Sequence, residues 1–182
     1  MGSRAVAVVC RDADVAQKRF RVNTGDAGII TTRTGRRFFD DREAEQTILG
    51  RVSAAASASG LFDELQTDWL LLDLELMPWS AKAVGLLREQ YAPVAASAEA
   101  SAAVWESVAE QLMARGLEGA QGVLNEGKTR AESAHLFRAA YRRYCWRVES
   151  LDDYKLAPFH LMAGEQGIYT DRDHVWHMET LG

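Results

Sequence analysis

Cysteine is scarce in this 182-residue chain, with only Cys10 and Cys145, far apart in sequence. That excludes a disulfide framework and a cysteine-rich metal site. Proline occurs three times, at Pro78, Pro93 and Pro158, so each punctuates the chain locally. No run of about 18 apolar residues exists to span a membrane, and the start has no apolar signal-peptide core. A cytoplasmic setting with no membrane partner is therefore expected. Also missing are a Gly-x-x-x-x-Gly-Lys-Ser/Thr phosphate loop, a Gly-x-Gly-x-x-Gly dinucleotide fingerprint and a Gly-x-Ser-x-Gly elbow. The classes built on those motifs drop out. Positive charge is in deficit too. The net charge of −5 argues against whole-surface attraction to nucleic acid, although it leaves room for a local basic groove.

What is present centres on Trp69 to Met77. Leu70, Leu72, Leu74 and Leu76 alternate with Trp69, Leu71, Asp73, Glu75 and Met77, the period of a pleated strand with one buried face. Asp73 and Glu75 then share the other face. Desolvating a carboxylate is costly unless it is paired or bound, so the two either line a cleft or face plain solvent on a one-sided sheet.

Around this strand, Ala5–Cys10 reads as a short β-run buried on both faces. Strands at Lys18–Val22 and Ala27–Thr32, joined through Asn23-Thr24-Gly25-Asp26, make a hairpin signal. Asp40-Asp41 caps a helix running to about Ala58, and Gly60 ends it. After Pro78 the composition turns to Ala, Glu, Gln, Arg and Leu. Helices are expected at about 80–91, 95–115 and 128–147, broken at Pro93 and at glycines 116, 119, 122 and 127. Val104, Trp105, Val108 and Leu112 in the second, and Ala134, Phe137, Tyr141 and Tyr144 in the third, form apolar stripes read as core. Lys155–Met162 resumes as a strand with an edge or bulge at Pro158. Thr170 caps a last helix with Asp173 in the capping-box position. The division expected is 1–79, 80–150 as a helical module, and 151–182.

Two features could carry chemistry. His174 and His177 lie three apart, Asp171 is one turn earlier and His160 lies elsewhere. A metal site and ordinary surface or semi-buried histidines both fit, and with no His-Glu-x-x-His signature no metal ligand is assigned. Basic residues form two clusters. Arg33, Arg36 and Arg37 flank a glycine turn beside Phe38 and Phe39. Lys128, Arg130, Arg138, Arg142, Arg143 and Arg147 crowd the third helix, where Arg138 and Arg142 are like-charged neighbours at i, i+4. These are either solvated faces or contacts for a polyanion, with phosphates and unpaired bases as targets.

Met1-Gly2-Ser3-Arg4-Ala5-Val6, Thr34-Gly35-Arg36-Arg37-Phe38-Phe39, Leu72 to Ala83 (Leu-Asp-Leu-Glu-Leu-Met-Pro-Trp-Ser-Ala-Lys-Ala) and Lys155 to Leu161 together resemble one family over nearly the whole chain. It is the ligase (adenylyltransferase) domain of bacterial polynucleotide kinase-phosphatase, an RNA-repair enzyme. The resemblance implies an α+β fold, a partial covalent-nucleotidyltransferase fold unrelated to ATP-grasp, with an antiparallel sheet core and an inserted helical module. It implies ATP and Mg or Mn as cofactors, RNA ends as substrate, kinase and phosphatase domains beside the ligase, and a partner that methylates the 3′-terminal ribose. In this family a lysine attacks the α-phosphate of ATP, and AMP passes to a 5′-phosphate RNA end before sealing. By resemblance, Arg4 contacts the nucleotide and Arg36 faces the nucleotide or the RNA end. Glu75 accepts from the ribose hydroxyl, and Phe159 stacks on adenine. From the two basic clusters, and not from the resemblance, Arg37, Arg138, Arg142 and Arg143 are the candidates for RNA.

Departures from the pattern set a second expectation. The family's nucleophilic lysine stands two residues before the Met-Gly-Ser-Arg tetrad, which here begins at Met1. Lys18, Lys82, Lys128 and Lys155 are outside that motif, and no downstream Glu-Gly-x-Val-Val-Lys string occurs. The chain is expected to be a truncated piece of the ligase domain, inactive alone and with no catalytic residue of its own. The alternative is a non-catalytic nucleotide- or RNA-binding module using the same residues.

Overall fold

The computed structural model describes residues 2–182, so Met1, the first residue of the tetrad, lies outside it. In chain order the elements are β1 (Ser3–Cys10), α1 (Ala13–Phe20), β2 (Gly28–Thr32), α2 (Arg42–Ala58), α3 (Leu61–Glu64), β3 (Trp69–Met77), α4 (Val84–Leu86), α5 (Ala92–Ala114), α6 (Ala120–Arg142), β4 (Lys155–Gly164), β5 (Gly167–Ile168) and α7 (His174–Leu181). The fold is α+β. Residues group into two compact units, Gly2–Met77 with Val148–Gly182, and Pro78–Arg147.

The first unit holds a five-stranded antiparallel sheet ordered β2-β1-β3-β4-β5. The leucine face of β3 is buried as the alternation requires: Leu70, Leu72, Leu74 and Leu76 join Ala5, Ala7, Val9, Ile30, Leu161, Ile48, Leu49 and Phe62 in one core. Burying the side chains of a core of this kind is worth about 1.5–3 kcal/mol for each large aliphatic or aromatic residue. α2 begins where Asp41 suggests, with its side chain accepting from the Glu43 and Ala44 N–H groups. β1 is buried on one face and half-buried on the other, rather than on both, because α1, Val8 and Leu71 give its outer side only a small second cluster around Cys10, Ala16 and Trp69.

Other expectations of the elements are corrected. Lys18–Val22 is not a strand, since Ala13–Phe20 is a helix. Asp12 caps it by accepting from the Val15 N–H, and Arg21 ends it in the left-handed region at φ 60°. This local cap outweighs the short β-type run, and the hairpin through Gly25 does not form. Pro93 does not break the helical module either. A π-helical turn at Leu87–Tyr91 leads directly into α5, and the widened turn accommodates a residue with no N–H to give. α6 starts at Ala120, so Gly122 and Gly127 lie inside it. The last helix is capped by Asp173, which accepts from the Trp176 N–H, rather than by Thr170.

In the helical unit the seam is made mostly of small residues, with Tyr141 at one end, and not of the valines. Ala95, Ala102 and Ala109 of α5 are buried, as are Ala120, Gly127, Ala134 and Tyr141 of α6. Both sets repeat every seven residues, the spacing that keeps one stripe facing a partner helix. Val104 and Val108 are exposed. Trp105 explains Gly127, because a Cβ there would come within 2.5 Å of the indole. Trp105 also donates its indole N–H to the Val123 carbonyl at 2.8 Å.

β4 is an edge strand for most of its length, because β5 pairs only with Ala163 and Gly164. The exposed edge is partly satisfied by α7. The Leu161 N–H donates to His177 Nδ1 at 3.2 Å, and His177 is buried. Burial pushes the His177 pKa down, as do the nearby His160 and His174, against the opposing effect of the Arg172 carbonyl. Above the ordinary imidazole value of about 6.5, folded and unfolded chains both hold His177 neutral. Below it the unfolded chain takes the proton first, so stability falls as the pH drops toward the depressed folded value. Thermal unfolding between pH 8 and pH 5 is expected to show this loss, with a slope of at most about 1.4 kcal/mol per pH unit from one proton. His177→Gln should flatten that component. An unchanged profile in the variant would assign it elsewhere.

Candidate functional site

Strand register gathers the residues of interest at one end of the sheet. Arg4 of β1 lies directly opposite Glu75 of β3, and Val6 lies opposite Asp73. Thr32, the last residue of β2, lies opposite Ala5, so the turn that carries Arg36 leaves from the same end. That turn is tied by the Thr32 N–H donating to the Arg36 carbonyl at 2.7 Å and the Gly35 N–H to the Thr32 carbonyl at 2.9 Å. Gly35 has φ 81°, which suits glycine there. Arg36 itself is exposed.

On the other side of β3, Glu75 pairs with Ala157, Leu74 with Pro158 and Asp73 with His160. Phe159 has no partner across this ladder, so it is the extra residue of a β-bulge. A bulge re-aims a side chain. Consecutive residues of a regular strand point to opposite faces, yet the Phe159 and His160 rings meet at 5.3 Å between centroids. Phe159 is thereby turned toward the face of Asp73, and it is only half-buried. Pro158, which cannot donate to a ladder, sits where the strand is an edge and the bulge begins.

Asp73 is the buried anchor of this face. It is 1% exposed, and its carboxylate receives Arg4 Nε at 2.9 Å and 3.1 Å, together with Arg4 Nη2. A desolvated carboxylate in a sheet needs such a partner. The hydrogen bond and charge of Asp73 raise the Arg4 pKa further, with a smaller contribution from Glu75. The fork leaves Arg4 half-exposed, at 50% of its side chain, so its remaining N–H groups face outward. Asp73 thus neither lines a cleft as a free acid nor faces solvent. It holds Arg4.

Glu75 is half-buried and accepts from the Gly2 N–H through Oε1, leaving Oε2 for another donor. Gly2 is required by space. A Cβ there would stand 2.6 Å from the Leu76 carbonyl oxygen and 2.9 Å from the Glu75 side chain. The glycine of Met-Gly-Ser-Arg therefore lets β1 start against Glu75, a role that single-residue reading does not reveal.

Arg37 has a structural engagement. Its Nη1 bonds Glu45 Oε2 at 2.7 Å, and Glu45, fully buried, also accepts from the Ile30 N–H at 3.0 Å. The neighbouring aromatics Phe38 and Phe39 are core residues, not open stacking surfaces. In the helical unit, Arg138 pairs with Glu99 at 2.8 Å. Arg130 pairs with Glu126 and lies 4.8 Å from the Trp105 ring. Arg142 and Arg143 are exposed at the end of α6. Among the described residues no group of three His, Cys, Asp or Glu side chains is arranged to hold a metal ion. No helix among them is long and apolar enough to cross a membrane.

A sheet end that presents an arginine, a carboxylate with a free oxygen and a re-aimed aromatic ring can hold a nucleoside phosphate. The ring stacks, the carboxylate accepts from hydroxyls and the guanidinium meets phosphate. Comparison with curated proteins finds no match. The family described as PNKP adenylyltransferase domain, ligase domain, matches residues 1–182, the whole chain. By that match the chain belongs to the PNKP adenylyltransferase (ligase) domain family, RNA ligase domains whose substrates are ATP and RNA ends.

Proposed function

We propose that the sheet end formed by Arg4, Glu75 and Phe159 binds the adenosine and α-phosphate of ATP, with Arg36 reaching the nucleotide or the RNA end. The observation that carries this reading is the register. It puts Arg4 opposite Glu75 and turns Phe159 out of the ladder two residues from Glu75's own partner. Phe159 stacks on the adenine and Glu75 Oε2 accepts from a ribose hydroxyl. Arg4, steadied by Asp73, stabilises charge on the phosphoryl oxygens.

In the reaction this serves, a lysine Nζ attacks the α-phosphorus, pyrophosphate leaves, and a P–N bond holds AMP on the lysine. A 5′-phosphate oxygen of RNA then displaces the lysine, and a 3′-hydroxyl displaces AMP to seal the strand. None of the four lysines of these 182 residues stands at the motif position, so the nucleophile is assigned to none of them. The role proposed for this chain is to bind and orient. The alternative, a purely non-catalytic nucleotide- or RNA-binding module, draws on the same observation.

A divalent ion in such chemistry, Mg or Mn, would rest largely on the nucleotide phosphates, and no residue of this chain is assigned to it. Residues 1–79 and 151–182 are read as the nucleotidyltransferase core and 80–150 as its inserted module. Kinase and phosphatase domains, a 3′-ribose methyltransferase partner and a cytoplasmic setting complete the proposal.

Calorimetric titration with AMP tests the binding. Phe159→Ala should weaken AMP about ten-fold, since base–aromatic stacking is worth about 1–3 kcal/mol. Glu75→Ala should weaken adenosine compounds more than 2′,3′-dideoxy analogues. If neither variant changes affinity by more than about two-fold, the site is elsewhere. Incubation with α-labelled ATP and Mg or Mn should leave the chain unlabelled, and a covalent label would overturn the assignment of the lysines.

A further inference from the structure

We infer that Arg88, Arg138 and Arg142 form a phosphate-binding pocket of the helical unit that takes the backbone of a single RNA strand. The choice of RNA rests on the reading of the chain as an RNA ligase domain. The pocket itself rests on geometry. A concavity of about 420 Å³ is lined by Leu87, Arg88 and Ala92 on one side and by Arg138, Tyr141, Arg142 and Cys145 on the other.

Charge is distributed unevenly along the chain. Pro78–Arg147 contains nine Lys and Arg against seven Glu and no Asp, a net charge of +2, while the remaining residues carry −7. From Arg138 to Arg147 there are four arginines and no acid. Among the described residues, the carboxylate paired at the pocket is that of Glu99, held by Arg138. Arg88 and Arg142 have no carboxylate partner among the described residues. Arg142 gains something from the carbonyl end of α6, but that cannot account for Arg88, which lies on another element.

The second observation is the π-helical turn at Leu87–Tyr91. Widened turns of this kind recur at functional sites because they re-aim side chains. Here the turn contains Leu87 and Arg88, and Ala92 directly follows it, so all the residues that line this wall belong to the irregular stretch or adjoin it. Planar guanidinium forks that line one concavity suit phosphate oxygens, which accept bidentate bonds. Tyr141 is buried at 8% exposure and serves as floor, not as a stacking platform. The pocket therefore reads backbone rather than base.

The test uses the whole chain and a fluorescent 12-nucleotide single-stranded RNA, by anisotropy at several salt concentrations. Arg88→Ala with Arg142→Ala should weaken RNA binding at least ten-fold. The slope of log affinity against log salt should fall by about 0.7 for each phosphate the variant no longer neutralises. AMP affinity should not change, which separates this pocket from the nucleotide site. RNA binding that depends on these arginines in a protein with no AMP affinity would sink the nucleotide reading and leave the pocket standing. RNA affinity and salt slope unchanged in the double variant would overturn the pocket, as would no RNA binding by the unaltered chain. Arginine-dependent binding of a polyglutamate peptide without RNA binding would overturn it in favour of an acidic protein partner.

Discussion

Arg37→Ala is expected to lower stability by about 3 kcal/mol, the low end of what breaking a buried ion pair costs. Glu45 has no exposed side-chain surface, and Arg37 is its charged partner among the described residues, at 2.7 Å. Removing the guanidinium leaves a desolvated carboxylate whose other oxygen is already committed to the Ile30 N–H. For a chain of this length that corresponds to a fall in Tm of about 6–12 °C. Adding Glu45→Gln should recover more than half of the loss. The amide keeps an acceptor for Ile30 and carries no charge to desolvate. A single variant within about 0.5 kcal/mol of the parent would show that Glu45 finds water or protonates at little cost. It would also free Arg37 for the RNA role its place in Thr-Gly-Arg-Arg suggests.

The second large effect concerns ligand affinity rather than stability. Asp73→Asn is expected to weaken AMP by about 10- to 100-fold, as a charge-assisted bond contributes about 1.5–3 kcal/mol. Asparagine fits the space but accepts with one neutral oxygen where the carboxylate receives both Nε and Nη2 of Arg4. Arg4, half-exposed, is then free to leave the orientation that Asp73 gives it, the one proposed to meet the phosphate. If Asp73 acts only through Arg4, Arg4→Ala with Asp73→Asn should bind no worse than Arg4→Ala alone. Fully additive losses would instead give Asp73 a role of its own at the ligand.

The two halves of the chain are not equally legible in the sequence. β3 can be read closely because its leucines leave a period-2 trace, and Leu70, Leu72, Leu74 and Leu76 are buried as that trace requires, while the burial of Asp73 on the other face leaves no such trace. α2 can be read because Asp41 is a cap with a local mechanism. α1 cannot, because eight residues are too few for periodicity to compete with a β-like run, and the deciding bond is the Asp12 cap. In the helical unit, volume misleads. Valines suggest core, but two helices in close contact bury alanine and glycine at the seam and leave Val104 and Val108 outside. At the candidate site, Arg4, Arg36, Glu75 and Phe159 emerge through a family resemblance, while strand register is what brings Arg4, Glu75 and Phe159 to one end of the sheet. Asp73's partner, Gly2's contact with β3 and the bulge at Phe159 are properties of pairing between segments about 70 or more residues apart. No local pattern encodes them. Arg88 joins Arg138 and Arg142 only through the π-helical turn, which a lone proline does not announce.

The most direct test of adenosine binding at the sheet end is backbone amide NMR of the labelled chain during titration with AMP. The largest shifts are expected at Gly2–Val6, Asp73–Leu76 and Phe159–Leu161, with a second group in the Thr32–Arg36 turn, and Phe159→Ala should move their midpoint to about ten-fold higher AMP. Shifts centred instead on the shallow groove between Asp41–Thr47 and Val148–Tyr154, or no shifts at millimolar AMP, would contradict it.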